Sequence, residues 1–299
     1  MSRTRLILPS FAKVNLGLKV ISRRPDGFHD IFTVFQTTSL KDTITFAPSD
    51  KIRLTCTDPN IPVDGTNIIL KAVDALKERY SIRNGVTIHL DKNIPSPGGL
   101  GGGSSNAAVT LLALRRLWGL DVSTDDLVAT ARSLGSDVPF FLVGGTAIGS
   151  GRGTEIEPID DIGEAMGLVV TPDIDVSTAE AYQAMTVPNL TNREVERILL
   201  NCRFEAKRPD FLARKLTNDF EKTVFARFPD IGEARQTLAD LGASPAMMCG
   251  SGASVFGFFD KEETRQTAIK ALGEHANWRS FAVATISRRE YREALRQVF

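Results

Sequence analysis

An α+β fold is expected from this chain, and three features carry the expectation. Apolar and polar residues alternate over residues 12–20, which is the period of a half-buried strand. A second alternating stretch leads through a glycine-rich loop into an apolar-periodic helix between Val86 and Gly119. The second half interleaves helical and extended segments, as a compact α+β unit does.

The 299 residues suffice for one large domain or two ordinary ones. With 42% apolar and 24% charged residues, the balance is that of a soluble globular protein. Lys plus Arg and Asp plus Glu each total 36, so no global field favours nucleic acid or anionic lipid. Basic groups that meet a polyphosphate must therefore be local. No apolar run reaches the length of a signal peptide or a membrane span. Cys56, Cys202 and Cys249 are odd in number and widely separated, which supports neither a disulfide framework nor a zinc site. A cytoplasmic protein acting on a small molecule, with no nucleic-acid or membrane partner, is the expectation.

In the first strand Ala12, Val14, Leu16, Leu18 and Val20 share one face, and Lys13, Asn15, Gly17 and Lys19 the other. Pro25-Asp26-Gly27 predicts a turn, and residues 31–40 and 43–47 predict two further strands. Val86, Ile88 and Leu90 alternate with Thr87, His89 and Asp91 in another. Ala107, Ala108, Leu111, Leu112, Leu114 and Leu117 fall at helical spacing, and Gly119 is placed to end that helix. Ser123 and Asp126 form a capping pattern for a second helix, which Gly135 closes. Residues 143–148 predict a strand. Glycines, Pro158 and several acids then break the pattern over 149–163, which predicts a boundary between domains at 1–155 and 156–299. Beyond it, helices are expected at 177–185, 192–200, 210–216, 230–241 and 261–272, and strands at 167–171, 246–249, 255–259 and 280–285.

Five of the six residues from Gly98 to Gly103 are glycine. Without Cβ atoms such a backbone can adopt positive φ and approach a ligand closely. The amides that open the next helix then face that ligand with the positive end of the helix dipole. The glycine spacing is that of a Walker A loop, but the lysine position holds Ser104, followed by Ser105. A dinucleotide fingerprint from Gly99-Leu100-Gly101 fails too, because its third glycine is again Ser104. A flexible linker is the plain alternative; the strand before and the helix after favour an anion site.

The segment from Pro95 to Ala108 resembles the phosphate loop of the GHMP kinases. Phe11-Ala12-Lys13-Val14-Asn15-Leu16 and Gly250-Ser251-Gly252-Ala253-Ser254 resemble two further motifs of that superfamily. Within it, Arg24-Pro25-Asp26-Gly27-Phe28-His29, the stretch from Leu134 to Phe141, and Asn218-Asp219-Phe220-Glu221 resemble the diphosphocytidyl-methylerythritol kinases. The resemblance implies a two-domain GHMP kinase fold, with a ribosomal protein S5 domain 2-like N-terminal domain and a ferredoxin-like C-terminal domain. It implies ATP with Mg2+, and phosphorylation of the 2-hydroxyl of a cytidine diphosphate-linked methylerythritol. Pro95, Gly98, Gly99, Leu100, Gly101, Gly102, Gly103, Ser104 and Ser105 would cradle the ATP phosphates. Asp137 would be the catalytic base and Lys13 its partner. Asn15, Phe28, His29, Thr178 and Tyr182 would bind substrate, with the pyrimidine between the rings of Phe28 and Tyr182. No residue is assigned to the metal, although Ser105 is placed to meet either a metal or a phosphate. The Gly250 loop would approach the phosphate loop from the second domain. Another GHMP kinase acting on homoserine or a mevalonate derivative, or a nucleotide-binding protein without turnover, remain as alternatives.

Overall fold

The computed structural model describes residues 5–185, 187, 190–208 and 216–299. Two long strands, β1 (Leu6–Arg23) and β2 (His29–Ser49), pair antiparallel across the turn at 24–28. The predicted strands at 31–40 and 43–47 are one strand, β2, which continues through Lys41 and Asp42. Along its other edge β2 pairs first with β5 (Thr146–Ser150) and then with β4 (Gly85–Asp91). The short β3 (Arg53–Cys56) joins β4 in parallel and β6 (Glu155–Pro158) joins β5, giving six strands.

Three helices cover this sheet. The sequence reading missed α1 (Ile68–Tyr80), although Ile69, Ala72, Val73 and Leu76 form a buried stripe at helical spacing and Asn67 caps its first turn. The two predicted helices are α2 (Gly102–Leu117) and α3 (Thr124–Leu134), with Ser123 accepting from the Asp126 amide as its capping pattern requires. A 3-10 turn, Val138–Leu142, follows, and every side chain in it is buried.

The segment expected to be a boundary is partly a hairpin. Residues 151–154 turn between β5 and β6, so the first sheet runs across position 155 to Pro158. The chain then enters β7 (Met166–Pro172) and the helices α4 (Thr178–Gln183), α5 (Asn192–Ala206), α6 (Glu221–Arg227) and α7 (Pro229–Asp240). The helix expected at 210–216 lies outside the described residues, Leu216 excepted. β8 (Ala246–Met248), β9 (Val255–Phe259), α8 (Glu262–Leu272) and β10 (Trp278–Ala284) complete a four-stranded antiparallel sheet, ordered β10-β7-β9-β8. Numbered within this sheet, the order is 4-1-3-2, that of a ferredoxin-like unit.

Each sheet has its own apolar core, and a third cluster joins them. Ala12, Val14 and Leu16 of β1 pack there with Leu100 of the glycine loop, with Val169 and Phe256 of the second sheet and with Cys249 just after β8. The chain finally returns to the first half. In α9 (Arg288–Ala294), Tyr291 is fully buried in the first core and its hydroxyl donates to the Phe141 carbonyl at 2.5 Å. The central part of β1 therefore lies between the two halves, covered on both sides.

Candidate active site

Lys13 and Asn15 lie on that covered part of β1. The β1–β2 register shifts between Phe11 and Lys13 and again between Asn15 and Leu18, and such bulges re-aim side chains. The Lys13 side chain is 3% exposed, so it is not the solvated lysine of an ordinary strand. Its ammonium makes two hydrogen bonds and one ion pair. It donates to Asn15 Oδ1 at 2.7 Å and to the Gly99 carbonyl at 2.8 Å, and it faces Asp137 Oδ2 at 3.3 Å. Asn15 in turn donates to Thr33 Oγ1 at 2.8 Å, which fixes its amide with the oxygen toward Lys13.

Asp137 precedes the 3-10 turn, yet its side chain makes no capping hydrogen bond. The carboxylate is instead turned toward Lys13 and remains 32% exposed. An acceptor that is held by a cation and open to a cavity is what an incoming alcohol needs.

The glycine loop closes over Lys13 from the other side. Gly99 has φ +71°, and a Cβ there would stand 2.1 Å from the Cys249 carbonyl. Gly101 has φ +70°, and its Cβ would meet Phe141 Cζ at 2.9 Å and Lys13 Cγ at 3.1 Å. Both positions exclude any side chain. Gly101 is also the N-cap of α2 and offers no side-chain cap, so among the described residues no side chain caps the first-turn amides of this 16-residue helix. Leu100 is buried, and its carbonyl accepts from the Lys13 amide at 3.0 Å. Ser105 is buried as well and accepts from Ser10 Oγ at 2.8 Å, so its hydroxyl is engaged inside the protein.

The second half supplies the opposite wall. Gly250 and Ser251 reach the site, with the Gly250 Cα so placed that a Cβ would lie 3.5 Å from Lys13 Nζ. Asn218 holds this loop by donating to the Met248 and Gly250 carbonyls at 2.9 and 2.7 Å. The Ser254 amide donates to the Gly98 carbonyl at 3.3 Å, and Ser251 and Thr178 share a hydroxyl hydrogen bond of 2.9 Å. The glycine loops of the two halves are thus in direct contact.

Lys13, Asn15, Gly99, Gly101, Asp137, Thr178 and Tyr182 line one cavity of about 190 Å³. Phe28, His29, Thr178 and Tyr182 line a second, of about 620 Å³. Ser136, Arg152, Thr178 and Tyr182 belong to both, so the two form one cleft. In it the His29 ring lies on the Tyr182 ring, with centroids 4.7 Å apart and planes 18° apart. Phe28 does not face Tyr182 directly as expected. The turn is locked by Arg24, Asp26 and Asp30, and it carries Phe28 outward, 47% exposed, with the Arg152 guanidinium 3.4 Å from its ring centre.

Partial burial, followed by the charge of Arg23, holds the His29 imidazole below its ordinary value despite Asp30. It is neutral at pH 7, with one nitrogen donating and one accepting. Burial, followed by the nearby charge of Asp137, pushes the Tyr182 phenol up to about 12, so it keeps its proton.

Arg152 and Ser136 were not singled out from the sequence. The signal for Arg152 was present, since a lone arginine stands between Gly151 and Gly153, both with positive φ, in the turn read as a boundary.

GHMP kinase family descriptions match this chain twice, the N-terminal domain over residues 67–145 and the C-terminal over 204–277. A 4-diphosphocytidyl-2-C-methyl-D-erythritol kinase of Solibacter usitatus is 39% identical, over 99% of this chain and 94% of its own length. One from Chlorobium limicola is 40% identical, over 89% and 92%. A solved 4-(cytidine 5'-diphospho)-2C-methyl-D-erythritol kinase superposes with TM-score 0.75 at 34% identity, covering 94% of this chain and 99% of that one. A homoserine kinase from Cytophaga hutchinsonii shares the fold, with TM-score 0.70 at 18% identity over 96% of each chain. With both halves matched and the relatives spanning nearly its whole length, the chain belongs to the GHMP kinases, in the family of the 4-diphosphocytidyl-2-C-methyl-D-erythritol kinases.

Proposed function

We propose that this protein transfers the γ-phosphoryl group of ATP to the 2-hydroxyl of 4-diphosphocytidyl-2-C-methyl-D-erythritol, in the non-mevalonate route to isoprenoid precursors. The observation that carries this reading is the Lys13–Asp137 pair, 3.3 Å apart, where the glycine loop meets the aromatic-walled cleft. Phosphoryl transfer asks a protein for position and charge neutralisation rather than covalent work. The loop from Pro95 to Ser105 and the open end of α2 hold the phosphates through backbone amides. Ser105 contributes its place in the helix, and its hydroxyl, which accepts from Ser10, still has its own hydrogen to donate. Asp137 accepts the proton of the attacking hydroxyl, while Lys13 holds that carboxylate in place and faces the charge that develops on the transferring group.

Residues 1–155 supply the phosphate loop and the catalytic pair in this reading, and residues 156–299 supply Thr178, Tyr182 and the Gly250 loop. Asn15 and Thr178 position the alcohol, and Phe28, His29 and Tyr182 read the cytosine. A neutral imidazole that both donates and accepts suits a pyrimidine edge, and the aromatic rings suit its faces. Because His29 covers Tyr182, the base enters by displacing that imidazole or by lying against the open face of Phe28. ATP brings the phosphoryl group and Mg2+ accompanies it as counter-ion. Among the described residues no cluster of three or more acidic, histidine or cysteine side chains is built to hold a metal, and no step is drawn through one.

A substrate screen tests the reading. Purified protein with ATP is offered the cytidine intermediate, homoserine and mevalonate, and ADP is measured. Turnover confined to the cytidine compound is expected. Preference for homoserine or mevalonate would reassign the substrate, and no turnover with any would leave nucleotide binding without catalysis.

A further inference from the structure

From Ile94 to Gly101 the glycine loop belongs to no helix or strand. Something must hold its two ends if the α2 amides are to stay aimed at one point. One contact that reaches both ends comes from Asp42, in the middle of β2 and fully buried. Its Oδ1 accepts from the Asn93 and Ile94 amides, both at 2.7 Å, and from Lys92 Nζ at 3.2 Å. Its Oδ2 accepts from Asn106 Nδ2 at 3.1 Å. One carboxylate thus ties the chain entering the loop to the helix leaving it. Ile94, so fixed, lies against Gly102, where a Cβ would stand 3.1 Å from Ile94 Cγ2.

We propose that Asp42 is a positioning residue for nucleotide binding, setting the loop and the first turns of α2 in the geometry that receives the ATP phosphates. This rests on the reading of the loop as the phosphate site. A buried ion pair is a poor source of net stability, since its desolvation offsets much of its attraction, and an apolar pair of similar volume serves as well. What the apolar pair lacks is direction. Four donors converging on two oxygens fix the loop ends in register, which shape-filling alone does not. The Lys92 ammonium also neutralises the unit, so a carboxylate beneath the loop does not repel the anion above it.

The test is Asp42→Asn. The new amide turns its N–H groups toward the Asn106 amide and leaves Lys92 without its counter-charge. The Kd and KM for ATP should rise about tenfold or more, as expected when a charged hydrogen-bonded unit is broken. The KM for the alcohol substrate should stay within about twofold, a split that a merely structural role does not produce. Unchanged ATP affinity in the folded variant, or equal losses for both substrates, would overturn the proposal. Gly101→Val, measured alongside, separates this failure from that of the underlying reading. If it also spares ATP binding, the loop is not the phosphate site. If it abolishes binding while Asp42→Asn does not, only the role of Asp42 falls. Should Asp42→Asn not fold, hydrogen exchange in the unaltered protein decides. The Asn93 and Ile94 amides are expected to be as protected as those of β4 before any ATP is added. Exchange at the rate of an open loop would refute the role.

Discussion

The Lys13 ammonium donates to Asn15 and to the Gly99 carbonyl and forms an ion pair with Asp137. The longest of these contacts is to Asp137, the residue proposed to take the proton of the substrate hydroxyl. Replacing Asp137 by Asn should lower kcat by about 10²–10⁴-fold, the usual loss of a general base. KM should change little, since mainly the transition state is affected. Steady-state kinetics check this, and a variant within a few-fold of the parent would put the base elsewhere. At the other end of the cleft, Tyr182→Ala should raise KM for the cytidine substrate by about 5- to 150-fold, the equivalent of roughly 1–3 kcal/mol of base stacking. KM for ATP should hold, and equal losses for both substrates would make Tyr182 a support of the fold. His29 adds a pH dependence. Its folded value lies below the ordinary 6.5, so between the two values the unfolded chain binds more protons. The stabilising contribution of His29 is complete above 6.5 and is lost as pH falls through the folded value. The same protonation should raise KM for the cytidine substrate at low pH, and His29→Gln should flatten that profile. Lys13, Asn15 and Asp137 were legible because their motif names them. The burial of Lys13 and Asn15 was not, because Gly250, which stands over both, lies more than two hundred positions away.

The strand–loop–helix unit was the most legible element, since glycine freedom and apolar periodicity are local properties. Its tolerance of substitution is uneven and open to measurement. A Cβ at Gly101 meets Phe141 and Lys13 on a left-handed backbone, whereas one at Gly103 meets only Ile68 Cγ2 at 3.7 Å. Gly101→Ala should therefore abolish most ATP binding, while Gly103→Ala stays within a few-fold. Calorimetric titration of both checks it, and equal affinities would remove the steric argument. β2 was read as two strands because Lys41 and Asp42 interrupt its alternation. Nothing near Asp42 in sequence announces donors from residues 92–94 and 106, which satisfy it inside the fold. That the segment read as a boundary begins with the tight β5–β6 turn was hidden for a related reason. Glycines with positive φ mark linkers and tight turns alike, and only the pairing of β6 with β5 distinguishes them here.

In the molecule as a whole, the α+β class and the order of the two halves could be read from periodicity, but the return of the chain to its first half could not. Tyr291 stands among arginines and glutamates, and although Tyr291, Ala294, Leu295 and Val298 fall at helical spacing, nothing in that period says which core the face joins. Its ring nevertheless fills space that a Cβ at Gly144 would enter at 2.2 Å, packs 5.6 Å from Phe11, and bonds the carbonyl of Phe141. Tyr291→Ala should cost about 3–5 kcal/mol, the scale for truncating a buried aromatic ring. Tyr291→Phe should cost about 1 kcal/mol, the net value of one hydrogen bond. Urea unfolding of both variants checks this, and equal costs would mean the ring contributes nothing. The same side chain sets the order in which the molecule can be completed. A ribosome adds roughly 5–20 residues per second, and domains generally fold from the N-terminus as they emerge. The first sheet and its helices emerge early, but the gap beside Phe11, Phe141 and Gly144 stays open until residue 291 has left the exit tunnel. Asp137 thus emerges well before Tyr291, at the head of a turn whose Phe141 carbonyl waits for that tyrosine's hydroxyl.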